Sequence, residues 1–567
     1  MGSYTSFTFN RKLRRIRRNL HTWRIWFVNY LNRHVFGAWQ KLGKMRWTFA
    51  SWVFIVFVAV WGLVGQIQAL GVDTNHSKPT EGGVYQEALQ GEVKGVNPLF
   101  PENSATEDVE SLVFSGLTKV NGKREVIADL AERWEVSPDR KIYTFYLREN
   151  LKWQDGIRLS AKDVAFTVDL LQNPDTRSPL SSNWSGVKYE VVDDRQIKFI
   201  LPSSYGNFIS NTTVGILPKH RLEGVKPSNL RSYEFNQRPV GSGPYKLELL
   251  EVDSAVIELT ANEYYYIHKP YIPKFNFQLF QSSQESIDSL VRRQVNAVAQ
   301  VQPNEVNTVD KIEGISVYQI SLPAYVGAFF NMRSPSLASP EVRKALAYAV
   351  DREAIINESL NGEASKAYYP IPAGFVGFNS SAPRYDFDMN KAKLMASTSL
   401  SERPRLRLVT LDNSVYEKVA EQLAGSWRQL GIEVEVIAAE GLDLQQNYIR
   451  SRNYDVLLYG QNIGLDSDAY SFWHSSQVND PGLNVSAYKN TDADKLLEAG
   501  RLARDQNYKA TRYAGFVDIW AKDVPAVILY SPYYNYAQSD SVRGFDTTKV
   551  AVPSDRFYNV YDWFIKK

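Results

Sequence analysis

Residues 48–65, TFASWVFIVFVAVWGLVG, run for eighteen positions without a charged side chain, and the run reaches Leu70 if Gln66 and Gln68 are admitted. At 1.5 Å per helical residue this spans about 27 to 35 Å, enough for a bilayer core. A buried core helix is the competing reading, but a core helix keeps a polar stripe and seldom follows so basic a segment. Residues 1–46 hold eleven Lys or Arg and no Asp or Glu, leaving 54 bases against 62 acids in the rest of the chain. Lys41, Lys44 and Arg46 flank the start of the run and no base follows before Lys78. The positive-inside rule therefore places the N-terminus in the cytoplasm and everything after Leu70 outside. Ile67-Gln68-Ala69 would pass as a weak cleavage site. A signal peptide's charged region is short, however, whereas 46 residues precede this run, so an uncleaved anchor over 47–70 is favoured.

Within the basic segment 1–46, Leu20 to Leu42 interleaves Trp23, Trp26, Phe27, Tyr30, Phe36 and Trp39 with Arg24, Arg33 and Lys41, a composition suited to an interfacial helix at headgroup level. The run Arg11 to Arg18 would also suit nucleic acid. Beside a membrane anchor, contact with anionic lipid is the favoured reading, and no nucleic-acid partner is expected. Residues 71–83, GVDTNHSKPTEGG, read as a tether before the folded body.

The length calls for several domains, because single cores stop growing near about 250 to 300 residues. The body alternates strands and helices irregularly, as a mixed α/β chain. Lys141 to Leu147 alternates as a strand; Ser160 and Asp163 form a capping box for a helix ending at Asn173-Pro174. Ser339 caps a second helix with Pro340 at its first position, burying Val342, Ala345, Leu346 and Ala349. Val415, Val419, Leu423, Trp427 and Leu430 make a third stripe, stopped by Gly431 and followed by the strand Ile432 to Ile437. Thr491 and Asp494 start a fourth helix.

Catalytic motifs are missing. The chain has no Cys, which excludes disulfides, thiolate metal sites and Cys nucleophiles. His76, His220, His268 and His474 show no i, i+4 pairing, and there is no GxSxG elbow or phosphate-cradling loop. The cluster Gly241-Ser242-Gly243-Pro244-Tyr245 reads as a turn entering a strand. Carboxylate pairs such as Asp193-Asp194 and Asp466/Asp468 could serve acid/base chemistry, yet most such pairs are solvated loop residues. The 73 aromatic side chains exceed what packing alone requires and favour a binding protein with an aromatic-lined cavity over a catalyst.

Several segments, in order, resemble the extracytoplasmic solute-binding proteins of peptide ABC importers, the oligopeptide/dipeptide-binding family. They are Asn97-Pro98-Leu99, Leu112 to Leu117, Leu130 to Ser137 with Tyr143 to Arg148 and Lys152 to Gly156, Gly241 to Tyr245, and Val342 to Arg352. The resemblance covers roughly residues 82 to 565. It implies a periplasmic-binding-protein-like α/β clamp of two lobes (type II) with a small inserted domain, behind the single transmembrane helix. The implied division is lobe I over 84–122, 215–325 and 531–567, the insert over 123–214, and lobe II over 326–530.

Family peptide binders pair the ligand's α-ammonium with an Asp. The corresponding loop, Gly460 to Phe472, departs from the pattern: Gln461 stands where a Trp is usual and the spacing is one residue longer. The resemblance makes Asp466 the first candidate and Asp468 the second; capping of the following helix accounts for both equally well. Tyr325, Phe330 and Asn331 resemble the second-lobe strand facing the cleft, and Ser104 to Glu107 the first-lobe edge. The resemblance and the anchor together imply a membrane-anchored receptor that hands a peptide or similar solute to an ABC permease, neither an enzyme nor dependent on a cofactor or metal. A sensor signalling through its cytoplasmic segment and a cell-wall peptide hydrolase are the alternatives. Relatives bind peptides, nickel complexes, sugars or opines, so the resemblance leaves the ligand open.

Overall fold

The alternating run after Lys141 forms the strand Ile142–Leu147, whose inward residues Tyr143, Phe145 and Leu147 are buried. It lies in a four-stranded antiparallel sheet with Ala131–Val136, Gln196–Ile200 and Lys188–Asp193. The helix Ala161–Gln172 flanks this sheet, and its capping box is formed by the Ser160 and Asp163 side chains. In the computed structural model, residue 56 and residues 79–566 are described, apart from 204–207, 249, 251–254 and 400–403. The basic segment, the anchor apart from residue 56, and the tether through residue 78 lie outside the described residues. No helix among the described residues is long and apolar enough to cross a membrane.

Among the described residues, twelve strands join in one large sheet. In one half, Val84–Gln90 pairs in parallel with Lys274–Phe280; in the other, Ala324–Phe330 pairs antiparallel with Val456–Asn462. The fourteen-residue strand Ala526–Ser539 belongs to both. Its first part faces Ala324–Phe330, in a register running from Phe329↔Ala526 to Val326↔Tyr530. Its second part faces Ile315–Ser321, ending at Ser321↔Tyr533. Leu322-Pro323 links the strands Ile315–Ser321 and Ala324–Phe330, and Pro323 has no N–H to donate, so pairing stops there. On the other side Ala526–Ser539 runs on unbroken, and its Ser531 and Pro532 pair with Ser365 and Ala364 of the short strand Ala364–Lys366. The hydrophobic cores divide at the same place: one gathers Tyr85, Leu112, Phe145 and Phe275, another Phe330, Leu346, Leu423 and Trp427.

Two of the family-like motifs owe their residues to a shared contact. The turn Gly241 to Pro244 runs against the C-terminal end of the helix Ser104–Val113, where a Cβ at Gly241 would fall 1.8 Å from the Val113 carbonyl oxygen and one at Gly243 2.4 Å from that of Leu112. Gln154 locks this approach: its side-chain amide donates to the Tyr245 carbonyl at 2.7 Å, and its side-chain oxygen accepts from the Gly241 N–H at 2.9 Å. The turn then enters the strand Tyr245–Leu247.

Two helix starts differ from expectation. Ser339 occupies the N-cap position of Pro340–Tyr348, but its hydroxyl donates to Glu341 rather than accepting from the first turn. The helix Thr491–Arg501 is capped by Asn490, one residue earlier than expected, because its carboxamide accepts from both Asp492 and Ala493.

The ends of the body meet at a buried ion cluster. Arg556 is fully buried; its guanidinium donates to Asp108 through both Nη atoms, at 2.7 and 2.6 Å, and to Glu87 at 2.5 Å. Tyr536 donates to the other Glu87 oxygen at 2.7 Å. Burial pushes both carboxyls upward while Arg556 opposes it, and the two acids hold the guanidinium firmly charged. Removing one partner of such a cluster strands charge in the core, at about 3 to 5 kcal/mol. Arg556→Met is therefore expected to lower unfolding stability by that amount in a urea titration. The triple replacement Glu87→Gln, Asp108→Asn, Arg556→Met is expected to recover a large part of it. Equal stability of Arg556→Met and wild type would show that the cluster holds nothing together.

Candidate functional site

Where the two halves cross, a cavity of about 200 Å³ is lined by Arg124, Ser321 and Leu322 from one side and by Tyr368, Phe375 and Ser531 from the other. Arg124 bridges the junction. Its guanidinium donates to the carbonyls of Val550 at 2.8 Å and Ser321 at 2.6 Å, and stands 5.3 Å from the centre of the Phe375 ring. Burial lowers its pKa to about 10, which leaves it charged at neutral pH. The Asn462 side chain reaches the Ala551 carbonyl at 3.3 Å, a second polar contact across the junction.

A larger cavity, about 370 Å³ and partly open, lies beside the helix Ser104–Val113. Its walls include Phe114, Trp184 and Tyr265, and its polar lining is acidic: Glu107, Glu110, Asp129 and Asp555 against Lys119. Lys119 is paired within this same lining, 3.5 Å from Asp129 and donating to the Tyr558 carbonyl at 2.9 Å. Asp555 accepts from the Ala551 and Val552 N–H groups at 2.8 and 2.9 Å, yet burial outweighs these bonds and raises its pKa to about 6. No three His, Cys, Asp or Glu among the described residues converge to hold a metal ion.

The expected site residues scatter. Glu107 lines the larger cavity, and its carboxyl is pushed up by burial and by Asp108. Ser104 is the exposed first residue of the same helix. Tyr325 is fully buried and donates to Gln461 at 2.7 Å; the glutamine that departs from the family pattern is the partner of this tyrosine. Phe330 is buried against Trp427, with ring centres 6.2 Å apart. Asn331 donates to the carbonyls of Arg452 and Tyr454 at 3.1 and 2.8 Å, so its carboxamide serves the interior of the lobe.

Asp466 and Asp468 already have cations. Both oxygens of Asp466 accept from Lys509 at 2.8 Å, with the two side chains 14% and 10% exposed. Asp468 lies 3.2 Å from the Arg501 guanidinium and accepts from the Tyr470 N–H at 3.1 Å; burial nevertheless raises its pKa. Lys509 and Arg501 belong to the helices Gln506–Asp523 and Thr491–Arg501, far along the chain from the loop. Sequence reasoning missed these partners, as it missed Glu110, Asp555 and Arg124. A run of three acids in Glu107-Asp108-Glu110 was the available signal.

Two lobes joined by a continuous strand and a short link, with a cavity at the junction, are the architecture of a solute-binding clamp. The sequence pattern of the family described as "Bacterial extracellular solute-binding proteins, family 5 Middle" matches residues 125–482, more than half of the chain, and the chain belongs to that family. It is 28% identical over 513 residues to the oligopeptide-binding protein AppA of Bacillus subtilis, covering 86% of this chain and 93% of that protein. The solved structure of that AppA with a nonapeptide is similar at a TM-score of 0.72, with 26% identity over 86% of this chain and all of that one. The ABC transporter substrate-binding protein CtaP of Listeria monocytogenes reaches 0.79, with 26% identity and the same coverage. NikZ of Campylobacter jejuni, solved with Ni(L-His), reaches 0.73 at 25% identity, covering 85% of this chain and 99% of that one.

The raised pKa of Asp555 has a consequence for stability. A carboxyl whose folded pKa exceeds its unfolded value binds protons more readily in the folded state, so it costs stability as pH rises through the interval between the two. For Asp555 the interval runs from the ordinary value of 3.8 to about 6. Asp555→Asn keeps an acceptor for the two N–H groups and removes the charge. Its melting temperature relative to wild type is expected to rise between pH 4 and pH 7 and then level off. A difference independent of pH would show that Asp555 is well solvated.

Proposed function

We propose that this chain is the solute-capturing receptor of an ABC importer, held at the cell membrane by a single helix over 47–70. Its basic N-terminus lies in the cytoplasm against anionic lipid and its body outside. The body closes on a peptide or a similar small solute and presents it to the permease. Lobe I comprises 84–122, 215–325 and 531–567, lobe II 326–530, and the insert 123–214. The observation that carries this reading is the junction itself. The continuous strand Ala526–Ser539 and the link Leu322-Pro323 cross it, and a cavity opens between Arg124 on one side and Phe375 on the other. Such a junction suits hinge closure. Peptide is favoured as the solute class by the relatives: AppA of B. subtilis holds a nonapeptide, and the Escherichia coli dipeptide-binding protein is 24% identical over 473 residues. Ni(L-His) in NikZ shows how widely ligands vary on this fold.

Because the chain has no Cys, cysteines introduced at the exposed positions Ser228 and Leu442 carry a unique pair of fluorophores. Saturation with a bound peptide is expected to shorten the distance between them. At about 100 times Kd it should also add about 2.7 kcal/mol of stability. Tight binding with no change in distance would argue for a rigid scaffold.

Asp466 is the proposed meeting point for a ligand ammonium, reached by exchange with Lys509. Since one cation replaces another, wild type gains little from the exchange. It should distinguish a free peptide from its N-acetylated form by only a few-fold. Lys509→Met leaves the carboxylate without its cation and should raise that discrimination to roughly tenfold or more, by the strength of a charge-assisted hydrogen bond. Unchanged discrimination in Lys509→Met would leave Asp466 a purely structural residue.

A further inference from the structure

On the helix Ser104–Val113 three acids are sorted by position. Asp108 turns inward to Arg556, whereas Glu107 and Glu110, three residues apart and so on one face, line the 370 Å³ cavity. Glu110 is only 9% exposed. One of its oxygens accepts from the Asn97 N–H at 3.2 Å; among the described residues the other oxygen has no hydrogen-bond partner, and no Lys, Arg or His lies within ion-pair distance. A buried carboxylate is ordinarily paired. Asp555, also in the lining, accepts hydrogen bonds, among the described residues, from the backbone N–H groups of Ala551 and Val552 alone. The nearby cations are engaged: Lys119 with Asp129 and the Tyr558 carbonyl, Arg124 with the carbonyls of Val550 and Ser321.

The rest of the cavity fits an organic cation with an apolar stem. Phe114 and Trp184 supply flat apolar walls. The volume lies at the low end for ligand pockets, enough for one side chain or a small amine rather than a whole peptide. The acids do not converge closely enough for a metal ion.

We propose that this cavity, between lobe I and the insert, is a specificity subsite that receives a cationic group on an alkyl stem, such as the side chain of a lysine or arginine residue in the bound solute, with Glu110 as its counter-ion and Glu107 and Asp555 reinforcing the field. The inference rests on the reading of the chain as a solute receptor and adds a preference for basic solutes. It is separate from the Asp466 pairing, because Asp466 lies on a different lobe and has its own cation.

Full-length protein is titrated calorimetrically with Ala-Lys-Ala and with the same tripeptide acetylated on the lysine Nζ, termini free in both. Wild type is expected to bind the unmodified peptide about tenfold or more tightly over the acetylated one. Glu110→Gln, which keeps the acceptor for Asn97, should bring the two within about threefold while leaving the acetylated peptide's affinity unchanged. If Glu110→Gln does not fold, Glu107→Gln is expected to show a smaller loss in the same direction. Equal binding by wild type, or a preference that survives in both variants, overturns the subsite while leaving the receptor reading intact. If neither peptide binds, agmatine is the deciding probe. Binding of agmatine that is lost in Glu110→Gln supports the subsite and counts against peptide as the solute; no binding of agmatine overturns the subsite as well.

Discussion

The charge cluster of Arg556, Glu87 and Asp108 is what makes a single lobe out of the two ends of the body. Its outermost members are separated by 469 residues, so the strand Val84–Gln90 and the helix Ser104–Val113 wait for nearly the whole chain before their buried acids find a cation. Charges taken out of water are repaid only when geometry and extra hydrogen bonds are good. Here Tyr536 supplies one such bond and the Pro553 carbonyl another. The cluster also sets the rotation of the helix. With Asp108 held inward, Glu107 and Glu110 have no choice but the cavity face.

Local structure was legible in the sequence because it depends on near neighbours. The Ser160/Asp163 box, the turn into Tyr245 and the stripe from Val419 to Trp427 are each written within a few residues, and each formed as expected. The family, too, was readable from motifs, and Gln154 against Gly241 and Gly243 shows why: these residues meet at one contact that tolerates little else. Helix starts at Ser339 and Thr491 are less legible, since a nearby acceptor or a better cap one residue away changes which side chain does the capping.

Site residues were harder to read, because their roles depend on partners far along the chain. Nothing near Asp466 announces Lys509, 43 residues on, nor near Gln461 announces Tyr325, 136 residues back. A carboxylate in a loop reads alike whether its cation is a ligand or a lysine of the next helix. Glu110 is the reverse case. On sequence it is one more polar residue in the helix Ser104–Val113, and only the packing of Asn97, Phe114 and the 552–558 segment around it turns it into a buried acid without a cation.

The two lobes treat these acids differently. Lobe II neutralises its loop acids internally, at short range and with helix-borne cations. Lobe I pairs Glu87 and Asp108 with one guanidinium and leaves Glu110, a few residues away, without a cation, with burial and its acidic neighbours pushing its pKa well up. An unpaired buried acid lowers the stability of the empty protein, and natural chains retain such costs where activity needs them. In the proposed subsite a basic group arriving from solution would relieve that cost at the moment of binding, and part of its affinity would then come from strain in the unliganded protein rather than from new contact area. That distribution suits a receptor: the acid without a cation sits in the cavity, and the acids that hold the fold already have one.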